Sequence, residues 1–240
     1  MSQSLHNLGN FIRERRVAAN LTQGALADLV GISEETLSAI ERNKRPISQS
    51  VLGPLLAALG VYPDAAPALV AMYAVPVQPE SNRPTPHETS ALEAIATPAF
   101  YQDVRTYRII HSNAAVRRAL PGMTAGTNLM EWLLTEPDAR AVLADWESVA
   151  HRFVYSMRAL ALPSMPPEIS GPLIRACSRA PEWDRMWNTT PADATPMNSV
   201  TLVDPATGAH QPMYLTSFTL QFPRAGWGMW MLSPAREPLT

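Results

Sequence analysis

Residues 8 to 62 carry four short apolar-periodic segments, spaced so closely that they predict a small all-helical bundle. Thr22-Gln23-Gly24-Ala25-Leu26-Ala27 opens one helix, and Gly31-Ile32-Ser33 makes a tight turn. Glu34 to Arg42 forms the next helix, followed by Lys44-Arg45-Pro46. The spacing has physical reasons. Thr22, Ser33 and Ser48 stand at three helix starts, where a hydroxyl accepts from the free N–H groups of the first turn. Phe11 and Ile12 supply the first helix, and Leu26, Leu29 and Val30 share one face of the second. Leu37 and Ile40 share a face of the third, while Val51, Leu52, Leu55, Leu56 and Leu59 line the fourth. Ile32 plugs the junction, and Pro46 halts the chain past the third helix.

Two short helices joined by a three- or four-residue turn containing Gly are a helix-turn-helix signature. The second helix of such a pair lies in the major groove of DNA. The run Leu21-Thr22-Gln23-x-x-Leu26-Ala27, then Gly31-Ile32-Ser33, then Leu37-x-x-Ile40-Glu41-Arg42-Asn43 resembles the xenobiotic-response-element (XRE) class of helix-turn-helix domains, of the phage-repressor and Cro type. The resemblance implies that Gln23 contacts a phosphate, that Glu34, Glu35, Thr36 and Ser38 sit at the groove, and that Lys44 and Arg45 hold the DNA backbone. With Ser33 and Arg42 these make the expected DNA-facing set. Asn43 stands where the family usually has Gly, and Ala39 where a polar base-reading residue is common; Asn tolerates the left-handed conformation. Glu34 and Glu35 also suit a helix N-terminus simply as dipole partners. Arg13, Arg15 and Arg16 read as a solvated face.

Charge limits how DNA is held. The chain carries net −2, with +1 over the first 62 residues and −3 over the remaining 178. Affinity must then come from local placement of cations and from pairing of two copies, not from bulk charge. Cys177 is the one cysteine, which excludes an internal disulfide framework and a Cys-rich metal site. No signal-peptide pattern and no apolar run of about 18 residues occurs, so a cytoplasmic protein with no membrane partner is expected.

Pro63 to Tyr73 has the pattern of a fifth helix. Pro76, Pro79, Pro84 and Pro86 then fall among polar residues, and residues 75–90 read as a linker. The domains expected are 1–74, the DNA-binding bundle, and 91–236, a second domain. The aromatic content changes across that linker. All six tryptophans lie beyond residue 130, whereas the first sixty residues hold one aromatic, Phe11. Phe100 to Asp103 and Thr106 to His111 read as two short strands, and Ala139 to Leu162 as one long helix. Leu173 to Cys177 and Glu182 to Trp187 read as helical. The end is strand-rich: Tyr214, Phe218, Leu220 and Phe222 alternate with polar neighbours, Asp204 to Gly208 is a turn, and Trp227 to Leu232 is a central strand. Strand pairs around a helical middle predict an α+β domain, an antiparallel sheet with helices on one face.

Thr97-Pro98-Ala99-Phe100, Ser112-Asn113-Ala114-Ala115, Asn128-Leu129, Asp145-Trp146, Met157-Arg158, Trp183, Trp187 and Asp204-Pro205 follow in an order that resembles the ligand-binding domain of MmyB-like transcription regulators. The resemblance covers about residues 92–236 and implies a PAS-like fold and a small apolar ligand, fatty-acid-like or natural-product-like. Along the predicted long helix, Trp146, Val149, Phe153 and Met157 make a core face, and Glu147, His151, Tyr155 and Arg158 run beside it. Arg158 either pairs with an acidic neighbour, Glu147 or Asp184, or holds the polar head of a ligand; a guanidinium fork suits a carboxylate. The ligand-facing set expected is Trp146, Tyr155, Arg158, Trp183, Trp187, Tyr214 and Phe218.

Nothing points to catalysis. The five histidines stand apart without paired ligand spacing, and neither a Gly-x-Ser-x-Gly elbow nor a Gly-rich phosphate loop occurs. Cys177 reads as a core thiol in an apolar run. No catalytic residue, metal or cofactor is expected. The leading expectation is a homodimeric regulator with a double-stranded DNA operator and a small apolar ligand as partners. The rival is a DNA-binding regulator whose second domain only dimerises or binds a protein; an enzyme fused to a DNA-binding domain is a third.

Overall fold

In the computed structural model, residues 7–61, 83–162, 165, 167–192, 198–219, 224 and 226–235 are described. They fall into two compact units. The first holds α1 (Asn7–Ala18), α2 (Gln23–Val30), α3 (Glu34–Glu41) and α4 (Gln49–Ala58). Phe11, Ile12, Leu26, Leu37, Ile40, Leu52, Leu55 and Leu56 are buried and form its core. Thr22 caps α2 by accepting from Ala25 N, and Ser33 caps α3 by accepting from Thr36 N. Gly31 closes α2 at φ 73°, a left-handed position where a side chain would be strained.

Two expectations fail in this unit. Leu29 is 65% exposed. Leu26 alone, with Ala27 beside it, fills the space under α2, so a third apolar position on an eight-residue helix has nothing to reach. Ser48 stands at the start of α4 in extended conformation, but its side chain makes no capping bond. Its hydroxyl pairs with that of Ser50 instead, at 2.9 Å. The helix predicted over Pro63–Tyr73 lies outside the described residues, as do Leu220, Phe222 and the first half of the predicted linker.

The second unit begins inside that linker. Residues 86–90 open α5 (Pro86–Glu93) rather than extending the connector. Pro86 occupies the first turn, where its missing N–H costs nothing, and Thr85 and Glu88 make a reciprocal capping box. There follow β1 (Ala99–Asp103), β2 (Ile109–Ser112), α6 (Ala114–Ala119), α7 (Leu129–Thr135), α8 (Pro137–Val142) and α9 (Trp146–Ser156). A π-helical turn (Met157–Ala161), α10 (Pro167–Cys177) and α11 (Trp183–Asn188) lead to β3 (Ser199–Val203), β4 (His210–Thr219) and β5 (Trp227–Pro234).

The five strands form one antiparallel sheet in the order β2-β1-β5-β4-β3. This is the PAS-like α+β arrangement that the resemblance implies. The apolar run Trp227 to Leu232 is the middle strand, as an almost unbroken apolar segment requires. The long helix predicted over 139–162 is broken at Leu143–Asp145. There Leu143 bridges Leu202, and Ala144 N donates to Thr201 O at 3.0 Å, so the chain extends beside β3 before turning helical again.

Helices are not confined to one face. Leu92 of α5 packs with Ala99, Tyr101, Ile110 and Trp227 on one side of the sheet. On the other side, side chains of α7 and α9 face Phe100, Leu202, Leu215, Trp230 and Leu232. Two asparagines tie the connections together. Asn113, fully buried, accepts from Ala99 N and Val116 N and donates to Ile95 O and Thr97 O. Asn128 accepts from Met130 N and Glu131 N and donates to Thr106 O.

Candidate functional site

The expected DNA-facing residues gather around α3, and one buried carboxylate organises them. Glu41 is 2% exposed. It accepts from Arg16 Nε at 2.6 Å, from Arg16 Nη2 at 3.0 Å and from Gln23 Nε2 at 2.7 Å. Hydrogen bonding to Glu41 raises the Arg16 guanidinium above its ordinary value, which keeps that cation charged. Arg16 also donates to Leu21 O at 2.8 Å. It is therefore a bracing residue of the bundle and not part of a solvated face. Its partner Glu41 is absent from the residues singled out in the sequence, although it stands in the quoted run Ile40-Glu41-Arg42-Asn43. An acidic residue after an apolar helix position gave no sign of being buried.

Gln23, Glu34, Ser38 and Arg42 share a groove with Arg13, Arg16, Thr22 and Glu41. Arg42 Nε donates to Ser38 O at 3.1 Å, which lays the guanidinium along the helix. Ser33, Thr36 and Arg45 line a second depression with Ile32, Ile40, Pro46, Ser48 and Val51. Arg45 Nη1 donates to Thr36 Oγ1 at 3.2 Å, and Ser33 Oγ donates to the same oxygen at 3.0 Å. Glu35 and Lys44 are exposed and line neither depression. The helix N-terminus thus presents two carboxylates, with the Arg45 guanidinium reaching back to Thr36 in the first turn and that of Arg42 lying along the last.

In the second unit an apolar cavity of about 50 Å³ lies between the sheet and helices α7 and α9. Its wall is aliphatic, aromatic and methionine side chains throughout, among them Phe100, Met123, Trp132, Phe153, Leu215 and Trp230. None of the seven residues expected to face a ligand lines it. Trp146 is buried beside it, donating Nε1 to Leu133 O at 2.7 Å, with the Arg140 guanidinium 3.6 Å above its ring. Trp183 and Trp187 stack on each other at 4.8 Å. Arg158 lies 5.5 Å from the Tyr155 ring centre and donates to Trp187 O.

Tyr214 and Phe218 are 50% and 43% exposed. Tyr214 pairs with Ser233, Phe218 with Met229 and Leu215 with Leu232, so alternation sends the two aromatics to the face opposite the cavity and Leu215 into it. The cavity wall draws on eight separate segments of the chain. The signal that could have found it was register: once Phe100 is opposite Trp230, their shared face is the lined one. Cys177 takes no part; it is fully buried, and burial pushes its thiol up to about 12.

A bundle with a helix-turn-helix at its centre and a sheet domain enclosing an apolar cavity define a DNA-binding transcription regulator with a ligand-binding domain. Comparison with known families gives the same two parts: a helix-turn-helix model matches residues 12–65, and a model of the MmyB-like transcription regulator ligand binding domain matches residues 85–236. The second match spans more than half of the chain, and the protein belongs to the MmyB-like transcription regulators. Both families are those of regulators and not of enzymes. No curated protein matches the chain significantly. Among the described residues no helix is long and apolar enough to cross a membrane.

Proposed function

We propose that the protein binds a two-fold repeated DNA site as a homodimer and that a small apolar molecule in the second unit's cavity alters that binding. One small helix-turn-helix buries little surface, and specific affinity normally needs two, with half-sites about one helical turn apart. In this reading Gln23, Ser38 and Arg42 face DNA from the groove beside α3. Glu34 and Glu35 sit at its N-terminus, Ser33 and Thr36 set its first turn, and Lys44 and Arg45 hold phosphates.

The observation that carries the ligand half of the reading is the cavity wall, which among the described residues has no charged side chain. Its volume of about 50 Å³ is small beside ordinary ligand pockets of roughly 300–1,000 Å³. Entry of a ligand therefore requires side chains to move, and Met123 on the wall is a deformable one. Displacement of the wall is what would link occupancy to a change elsewhere in the chain. The test selects binding sites from random DNA with the full-length protein, then repeats binding across a library of apolar metabolites ranked by thermal shift. The reading requires a two-fold site and at least one compound that both raises the melting temperature and changes DNA affinity. Selection of a single half-site by a monomer would overturn the dimer. Compounds that bind without touching DNA affinity would overturn the link.

A further inference from the structure

We infer that Glu34 selects the operator: its carboxylate accepts from the amino group of one cytosine in each half-site and rejects the other three bases there. The proposal rests on the DNA-binding reading above and goes beyond it by naming the base. α3 carries three long polar side chains, and all three are glutamates. Glu41 is buried on Arg16 and Gln23. Glu35 is exposed and lines neither depression. Glu34 is exposed and lines the groove with Gln23, Ser38 and Arg42.

Two features set Glu34 where a base edge comes. The second helix of a helix-turn-helix enters the major groove with its N-terminal residues on the base edges, and Glu34 is the first residue of α3. A Cβ built on Gly24 would lie 3.2 Å from a Glu34 carboxylate oxygen. The carboxylate thus rests against the first turn of α2, one residue from Gln23, in room that the missing side chain of Gly24 leaves it. The neighbouring polar groups are engaged within the bundle. Gln23 Nε2 donates to Glu41, Thr36 Oγ1 accepts from Arg45 and Ser33, and Arg42 Nε donates to Ser38 O. Ala39 offers no polar group. Reading of the base edges from α3 thus falls to the Glu34 carboxylate.

Its chemistry selects the base. An ionised carboxylate only accepts. In the major groove guanine shows two acceptors, thymine an acceptor and a methyl group, and adenine an amino donor with an acceptor beside it. Cytosine shows its amino group and no acceptor of its own. A carboxylate brought to any other base is either left without a donor or set against an acceptor, and its lost hydration goes uncovered. The same charge repels the phosphates of DNA that offers no cytosine there. Glu34 therefore discriminates by rejection as much as by attraction.

The experiment uses the full-length protein and the DNA site it selects from random sequence. Each base of the half-site is replaced in turn by the other three, and the affinities of wild type, Glu34→Gln and Glu35→Gln are measured. Both glutamates are exposed, and melting curves check that the variants fold. The expected result is a cytosine in the selected half-site whose replacement by thymine weakens wild type about tenfold, the size of one mismatched pair. Glu34→Gln prefers adenine at that position, because a glutamine amide pairs with adenine N6 and N7. It also binds mixed-sequence DNA several-fold more tightly than wild type, one anion having left the phosphates. Glu35→Gln keeps the cytosine preference. A sharply selected site with no such cytosine, or a cytosine preference unmoved by Glu34→Gln, would overturn the assignment and leave the DNA reading intact. A preference that moves in Glu35→Gln instead would overturn it in the same way. Failure of wild type to select any site would overturn the DNA reading and the assignment together.

Discussion

Asn43 holds Gly9 from across the bundle: its Oδ1 accepts from Gly9 N at 3.0 Å while its own backbone sits at φ 55°. The position that in this family usually carries Gly therefore does two things here. It ends α3 in the left-handed region, and it ties α3 to α1. The approach is close. A Cβ on Gly9 would lie 2.2 Å from Ile40 O and 2.6 Å from Asn43 Oδ1. The carbonyl belongs to the backbone of α3 and cannot swing aside. Gly9→Ala is expected to cost on the order of 3 kcal/mol, the upper part of the usual overpacking range. Hydrogen exchange of the amides of α1 and α3 measures it; unchanged protection in both helices would contradict the assignment.

Lys44 and Arg45 are expected to act by charge alone. Each Lys44→Ala or Arg45→Ala change should weaken binding to all DNA sequences alike and lower the slope of log affinity against log salt by about 1. Glu41→Gln should act differently. It releases Gln23 and Arg16 together and leaves a cation in a largely buried site, at a stability cost of about 3 kcal/mol. Altered base preference with an unchanged salt slope in the Lys44 and Arg45 variants would refute the positioning role.

Much of this was legible in the chain, and two of the misreadings share one cause. Caps, turns and short helices are local: Thr22, Ser33 and Gly31 act on residues within four positions, and their types announce them. The break in the 139–162 helix is not local. Trp146, Val149 and Phe153 continue the period of Val142, and nothing near them forbids a helix. What stops it is pairing with Thr201 and Leu202, about sixty residues later. The ligand-facing set failed to coincide with the cavity for a related reason. Large aromatics were favoured, but which face Tyr214 takes depends on whether it stands opposite Ser233 or one residue away. The start of α5 was misread because four prolines in a row of polar residues hid the one that begins a helix.

Acid should loosen the second unit through Glu88. Its carboxylate accepts from Arg224 Nε at 2.8 Å and Nη2 at 3.0 Å, and from Thr85 N at 2.7 Å. The Arg224 guanidinium, with the Thr85 backbone, holds the carboxyl down to about 2 from its usual 4.5. Because the folded value is the lower one, the stabilisation is whole above pH 4.5 and drains away as pH falls toward 2. Its size is about 2 kcal/mol after allowing for partial solvent screening. All six tryptophans lie in this unit, so urea unfolding followed by tryptophan fluorescence reports it. The difference between wild type and Glu88→Gln should shrink over this interval. A difference that stays constant with pH would rule Glu88 out.

Arg158 offers the sharpest separation between the two roles open to it in the sequence. The polar stripe of α9 does have a partner, and that partner is α11. Glu147 accepts from Arg185 at 2.6 Å, His151 Nε2 lies 3.1 Å from Thr189 Oγ1, and Arg158 donates to the carbonyl of Trp187. A cation at a helix C-terminus satisfies a free carbonyl and favours the dipole there. Arg158 thus ties down the end of α11 and holds Trp187 against Trp183. Arg158→Met is expected to lower stability by about 1–2 kcal/mol through the lost bond to that carbonyl. It should leave the ratio of affinities for an acid and its methyl ester unchanged, since Arg158 does not line the cavity. Both quantities come from one set of titrations and melts on wild type and variant. A wild-type preference for the acid that vanishes in a folded Arg158→Met protein would return Arg158 to the ligand.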